Sequence, residues 1–258
     1  MDLNGFPSLI IYTSIFLFAL GTIFGSFIGC VAGRIVAGED WIKGRSHCDE
    51  CGHVLEFIDL IPIVSYIITG SKCRYCKKKL SIKYPLMEAL MGIVFVALFL
   101  SRKMIDFTLL RNLILSVLLM GLSLIDLDTY TIPDGFIVAG IINWLVFELL
   151  NFEKESFIIS IVTGVVVLVV MLLLSMIMDK ILNKESLGGG DIKLFFVLSL
   201  YFGPLKTLFL LLLSCIIGLS FVVFLKNNKI PFGPAISIGT VFMLIYGDTL
   251  LKLYLNVI

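Results

Sequence analysis

Residues Ser156 to Ile177 read SFIISIVTGVVVLVVMLLLSMI, an unbroken apolar stretch without one charged side chain. A stretch this long matches the hydrocarbon thickness of a bilayer when wound as a helix. Lipid offers backbone N–H and C=O groups no partner, so the segment must satisfy them internally as an α-helix. Working outward, comparable runs fall near 9–32, 84–101, 107–125, 134–150, 191–203, 205–225 and 232–251. The composition agrees, with 59% apolar and 15% charged residues in 258, well outside the range of a water-soluble domain. The expected fold class is therefore all-α: a polytopic membrane protein with about eight transmembrane helices. Residues 192–202 are few for a span, and Gly203-Pro204 suggests a break, so the sixth and seventh runs read as a tight helical hairpin or a kinked unit.

Three segments follow from this partition. Residues 1–33 hold the first transmembrane helix, 34–83 a loop domain, and 84–258 a membrane domain of about seven helices. The first run starts late and lacks a small-residue cleavage pattern, so it reads as a retained helix. Its GTIFGSFIG segment, Gly21 to Gly29, brings small residues to a close-packing face. Net charge is +1, which gives no reason to expect a nucleic-acid partner. If the 34–83 loop is cytoplasmic, that side gathers Arg34, Lys43, Arg45, Lys72, Arg74, Lys77, Lys78, Lys79, Lys83, Lys180, Lys184, Lys193, Lys226 and Lys229. The other side keeps Arg102, Lys103, Arg111, Lys154, Lys206 and Lys252, a clear positive-inside bias.

The loop domain contains Cys48-Asp49-Glu50-Cys51 and Cys73-Arg74-Tyr75-Cys76. Two C-x2-C pairs at this separation can surround a zinc ion with four thiolates. A loop of this size has little core of its own, so a structural metal would carry much of its folding. A disulfide pair or empty thiols are the alternatives, with an iron–sulfur cluster a remote one. Four filled ligand positions leave no place for a catalytic water, so the metal reading does not imply a metalloprotease. His47 and His53 flank the first pair and read as solvent-facing or supporting the site. Between the pairs, FIDLIPIVSYIITG, Phe57 to Gly70, is too apolar for a plain loop and is expected to lie against the membrane or on the spans.

Chemistry is concentrated in IDLDTYTIPD, Ile125 to Asp134, and LGGGDIK, Leu187 to Lys193. Carboxylates near hydrocarbon usually mark chemistry, ion passage or a specific partner. The charge-based topology puts both segments at one membrane face. Two carboxylates from separate helices that share a proton across a water can hydrolyse a peptide bond. Asp126 and Asp191 are the candidate catalytic pair. Asp128 and Asp134 are alternatives that also suit helix capping, with Pro133-Asp134 fit for a first turn. Gly188 and Gly190 remove bulk beside Asp191, so that a substrate backbone or helix can come close. Lys193 is expected to point away and snorkel to the interface. Glu88 reads equally as a binder of a basic group or a helix cap. An ion-coupled transporter and a zinc-bearing assembly scaffold are the competing function classes.

Taken in order, GTIFGSFIGCVAGR, the two cysteine pairs, DLIPIVSY, KYPLMEA, LIDLDTYTIPD, LGGGDIKLF and IPFGPA resemble the type IV prepilin peptidases. These are integral-membrane aspartic peptidases with a GxGD signature, and the resemblance covers nearly the whole chain. It implies catalytic roles for Asp126 and Asp191, with Gly188, Gly190 and Asp191 forming the signature. It implies cleavage of a short basic leader after a glycine of prepilins or pseudopilins, at the cytoplasmic face of the bacterial inner membrane. Glu50, Glu56, Asp59 and Glu88 then become candidate contacts for the leader. Many members also methylate the new N-terminus with S-adenosylmethionine. This chain has Gly29 where the family has an asparagine, Ile35-Val36 where a proline follows the arginine, and Asp49-Glu50 where the first knuckle has a proline. Glycine supplies neither amide donor nor acceptor, and no Rossmann-like fingerprint offers a separate S-adenosylmethionine site. IPFGPA, Ile230 to Ala235, is expected near the cleft or, more simply, as a loop before the last span.

Overall fold

The computed structural model describes residues 3, 5–48, 50–183, 187–225 and 231–257, of which 224, 225 and 257 by backbone alone. Lys184, Lys226, Lys229, Ile230 and Asp49, used in the charge count and motifs above, lie outside the described residues. The secondary structure there is helical, with β-pairing limited to isolated bridges. Among the described residues there are eight α-helices: α1 Pro7–Ala37, α2 Val64–Ile68, α3 Lys83–Arg102, α4 Phe107–Thr129, α5 Asp134–Leu150, α6 Lys154–Leu182, α7 Gly189–Leu225 and α8 Gly233–Val257. A short 3-10 turn, η1, spans Phe57–Leu60.

Six of these helices, α1, α3, α4, α6, α7 and α8, are long and apolar enough to cross a membrane. Helix α5, with 17 residues, falls just below that length. Helix α7 is broken at Gly203, whose φ of 69° and ψ of −179° are not helical, with Pro204 following. The expectation of eight spans thus resolves into six long helices, one of which, α7, is the kinked pair, and the shorter α5; the kinked-unit reading of 191–225 holds. The chain divides into two units, Met1–Leu109 and Leu110–Ile258.

In the first unit, α1 packs along α3. Proline at the first turn opens α1, and Gly38, at φ 72°, closes it by donating its N–H to the carbonyls of Arg34 and Ile35. The small-residue face works as the sequence indicates. A Cβ on Gly21 would lie 2.8 Å from Gly92 Cα, and one on Gly25 would lie 2.9 Å from Glu88 Cα. The two backbones are therefore in direct contact, which only glycine permits here.

In the second unit, α7 packs against α5, α6 and α8. Leu115, Leu119, Leu122, Phe195, Leu198 and Ile236 form its buried centre. Close approaches recur: a Cβ on Gly164 would meet Leu200 at 2.8 Å, and one on Gly140 would meet Val197 at 3.0 Å. A polar cluster ties α4, α5 and α7 together. The Asn143 amide donates to the Arg111 carbonyl at 3.1 Å and to the Tyr201 hydroxyl at 3.0 Å, and Tyr201 donates to the Gly140 carbonyl at 2.6 Å. Such bonds discriminate between helix pairings where apolarity cannot.

Candidate active site

Three helix ends of the second unit build the site. Asp126 sits in the last turns of α4, Asp191 in the first turn of α7, and Gly233 opens α8. Gly188 precedes α7, and its carbonyl accepts the Asp191 and Ile192 N–H groups at 3.1 and 3.3 Å. Asp191 therefore lies at a helix N-terminus, where free N–H groups and the helix dipole favour a carboxylate. Asp126 has the opposite local setting, near a helix C-terminus. Its compensation comes from α8, whose Gly233 N–H donates to Asp126 Oδ2 at 2.8 Å.

Asp126 is 4% exposed, and Asp191 is half-buried and within electrostatic range of it. The candidate pair thus comes together, from segments separated by sixty-odd residues of chain. Glycine clears the space around both carboxylates. A Cβ on Gly188 would lie 2.9 Å from Asp191 Oδ2, and one on Gly233 would lie 2.8 Å from Asp126 Oδ2. Gly190 fits a different purpose: its Cβ would strike Ile132 at 3.0 Å, so it lets α7 approach the α4–α5 connection.

The remaining aspartates stand apart from this pair. Asp128 is exposed. Asp134 is exposed too and forms an ion pair with Lys193, Nζ to Oδ1 2.7 Å. Lys193 therefore does not simply snorkel as expected. Two residues along α7 from Asp191, it ties α7 to the start of α5.

Sequence reasoning missed one pair of groups. The Ser123 and Ser237 hydroxyls share a hydrogen bond, 2.7 Å between their oxygens, and the Leu119 carbonyl accepts from the pair, 2.6 Å from Ser123 Oγ and 3.3 Å from Ser237 Oγ. Both serines are buried. They lie one turn from Asp126 and Gly233, so they fasten α8 where its first N–H meets the carboxylate. Polar residues at helical spacing from Asp126 were the available signal. The IPFGPA expectation resolves in favour of proximity: Phe232 and Gly233 adjoin Asp126, and Phe232 packs on Phe195 with ring centroids 6.1 Å apart.

In the first unit the cysteines meet. The sulfurs of Cys48, Cys51, Cys73 and Cys76 all lie within 4.8 Å of one another. A zinc ion with Zn–S bonds of about 2.3 Å needs S–S edges of roughly 3.8 Å, so the set fits after a small contraction. The two knuckles repeat one geometry. Cys48 O accepts from Gly52 N and Cys73 O from Lys77 N, at 2.8 and 3.0 Å, and Gly52 and Lys77 have φ of 67° and 61°. The Cys73 thiol is brought down to about 7, chiefly by the Cys76 backbone N–H, which prepares it as a thiolate ligand. His47 and His53 are exposed and lie outside the sulfur set; His53 stacks on Tyr75 at 3.6 Å between centroids.

The acidic residues proposed for a basic leader have partners within the chain. Asp59 pairs with Arg74 Nε at 3.0 Å and accepts from Tyr75 O–H at 3.0 Å. Glu50 pairs with Lys78. Glu88 faces inward and holds the N-cap residue of α2, not the start of its own helix. It is 8% exposed and accepts the Ile63 N–H at 2.7 Å and a hydrogen bond from Ser26. Gly29 abuts Met87, whose Cε would lie 3.2 Å from an added Cβ.

The bacterial peptidase A24 N-terminal domain matches residues 19–102, and the type IV leader peptidase family matches residues 113–223. A type 4 prepilin-like proteins leader peptide-processing enzyme of Escherichia coli is 33% identical over 198 residues, which are 76% of this chain and 73% of that protein. The chain belongs to the type IV leader peptidase family. A prepilin leader peptidase/N-methyltransferase of Myxococcus xanthus is 32% identical over 69% of this chain, which spans only 52% of that longer protein. One of Bacillus subtilis is 27% identical over 93% of this chain and 97% of its own length. No solved structure matches the chain. Helices long and apolar enough to cross a membrane and a four-cysteine cluster able to hold a metal accompany this membership.

Proposed function

We propose that Asp126 and Asp191 are the catalytic pair of an intramembrane aspartic endopeptidase that removes the basic leader of type IV prepilins or pseudopilins, after a glycine, at the cytoplasmic face. The observation that carries this reading is the meeting of two glycine-cleared carboxylates at three helix ends of one unit. Each catalytic step needs one ionised and one protonated carboxylate. The ionised member takes a proton from water as the oxygen attacks the scissile carbonyl. The protonated member donates to the carbonyl oxygen, and the proton gained by its partner passes to the departing amine. Because the two groups interact, the protons belong to the pair and not to fixed residues. Gly188 and Gly233 leave room beside the carboxylates for an extended substrate backbone.

Cys48, Cys51, Cys73 and Cys76 would hold a structural zinc ion, whose chemistry is to fix the two knuckles against each other. The names of the bacterial relatives favour a second step, methyl transfer from S-adenosylmethionine to the new N-terminus. Gly29 contributes no polar group to such a site.

Mass spectrometry of a co-expressed prepilin tests both activities at once. The unaltered enzyme is expected to give a leader-free product cut after glycine, and Asp126→Asn or Asp191→Asn only the precursor. Cleavage retained in both variants would overturn the dyad. A methylated product would establish the second step, and an unmethylated one would remove it.

A further inference from the structure

The first unit holds a buried carboxylate that the proposed reaction does not use. Glu88 lies in the second turn of α3, about 8 Å along the axis from Lys83. It reaches out of its helix to accept the Ile63 N–H at 2.7 Å. Ile63 has φ 62° and ψ −48°, a conformation β-branched residues avoid. Such a residue persists only where its surroundings fix it, and here a carboxylate does so. The third member of the contact, Ser26, lies about 9 Å along α1 before its apolar run ends near residue 32. Both helices are apolar enough to cross the membrane. A backbone amide tied to Ser26 and Glu88 is therefore held at the level of the spans, well inside the ends of both helices.

Ile63 is also the residue before α2, so its conformation aims that helix. The face so presented is apolar and uncovered: Val64, Ile67 and Ile68, at helical spacing, are 46%, 69% and 70% exposed, and Phe57 of η1 is 82% exposed. Five residues of helix do not stand alone in water. Following it in the chain, Lys72, Lys77, Lys79 and Lys83 are exposed, beside Lys78, which pairs with Glu50.

We propose that residues 57–68, η1 with α2, form an interfacial element seated in the headgroup–acyl boundary of an anionic leaflet, pinned at that depth by Glu88 through the Ile63 amide. Depth and charge both select lipid as the occupant. The segment is tethered between two spans, its anchor lies below their ends, and its apolar side chains are followed by a lysine cluster that matches anionic headgroups. Backbone outside a helix is tolerated at this level because it is hydrogen-bonded within the protein.

Tryptophan quenching in reconstituted full-length protein tests the proposal independently of peptidase activity. Trp41 and Trp144 are replaced by Phe, and Ile67→Trp supplies the sole reporter. The vesicles contain phosphatidylcholine and phosphatidylglycerol, brominated either near the glycerol end of the chains or near the bilayer centre. The expected result is a roughly twofold or greater loss of emission with the shallow bromines, a smaller loss with the central ones, and little quenching by aqueous iodide. Adding Glu88→Ala should shift the reporter toward iodide. Ile63→Gly, which keeps the amide and relieves the strained φ, should leave the lipid quenching in place and shows whether the segment remains assembled. Emission quenched by iodide alone would overturn the proposal, as would emission reached by neither quencher, which would mean that protein covers this face.

Discussion

At the scale of single residues, the site depends on atoms that are absent. Gly233 presents an N–H to Asp126 and has no side chain to push the carboxylate away; its Cβ would lie 2.8 Å from Oδ2 and 3.2 Å from Cγ. Gly233→Ala is therefore expected to lower the turnover of leader cleavage about tenfold or more, since displacements of this size disrupt catalytic alignment. Single-turnover assays on membrane-inserted protein with unchanged thermal stability would check it. The Ser123–Ser237 pair predicts a different signature. Ser123→Ala and Ser237→Ala should each cost about 0.5–1.5 kcal/mol, and the double variant well under the sum, because both remove one shared hydrogen bond. Thermal unfolding in detergent, arranged as a double-mutant cycle, measures this coupling. The aspartates and the flanking glycines were legible in sequence because charge and missing side chains stand out in an apolar chain. The serines were not, since a hydroxyl in a membrane helix commonly bonds only its own preceding turn, as Thr163 does to Ile159, and Ser123, which bonds Leu119 in the same way, gives no sign in sequence of its second partner on α8.

At the scale of elements, glycine decides how helices meet and where one breaks. In α1 the Gly21 backbone touches Gly92. Gly21→Leu should force α1 and α3 apart, at a cost of about 1–3 kcal/mol or more, read as a lower unfolding temperature. In α7, Gly203 adopts φ 69° with ψ near 180°, a region nearly restricted to glycine. Gly203→Ala is expected to destabilise the second unit by about 1–3 kcal/mol through backbone strain, although nothing crowds its Cβ position. The same unfolding measurement separates the cases, because the cost at Gly21, which meets the backbone of Met91 and Gly92, should grow from Ala to Leu, while the cost at Gly203, where nothing lies near, should be similar for both. The helices were readable as apolar runs, and the break at Gly203-Pro204 as turn chemistry. The lengths were read short: α1 continues through Gly33 to Ala37, past the hydrocarbon run, and closes only where Gly38 turns left-handed.

For the whole molecule, the metal prediction belongs to the first unit alone. Chelation or Cys73→Ser should remove one zinc per chain by elemental analysis and speed proteolysis between residues 34 and 83, while helical content by circular dichroism falls little, since the knuckles contain hardly any helix. An unchanged proteolysis rate would mean that the hairpin hydrogen bonds suffice. By itself, the sequence determined that the chain is a bundle of membrane helices with a cysteine-paired loop and two unusual aspartates. These properties are local: runs of apolar residues, spacings of a few positions, and charges where charges are costly. Tertiary structure alone decided which ends meet. Gly233 bonds Asp126 across 107 positions, Lys193 reaches Asp134 across 59, and Glu88 holds Ile63 across 25. The physical reason lies in the solvent. Lipid is as apolar as a protein interior, so helices such as α6 are apolar on every side and carry no stripe that marks the packed face. Pairing is then chosen by close backbone contact and a few buried hydrogen bonds, and these exist only once the helices have met.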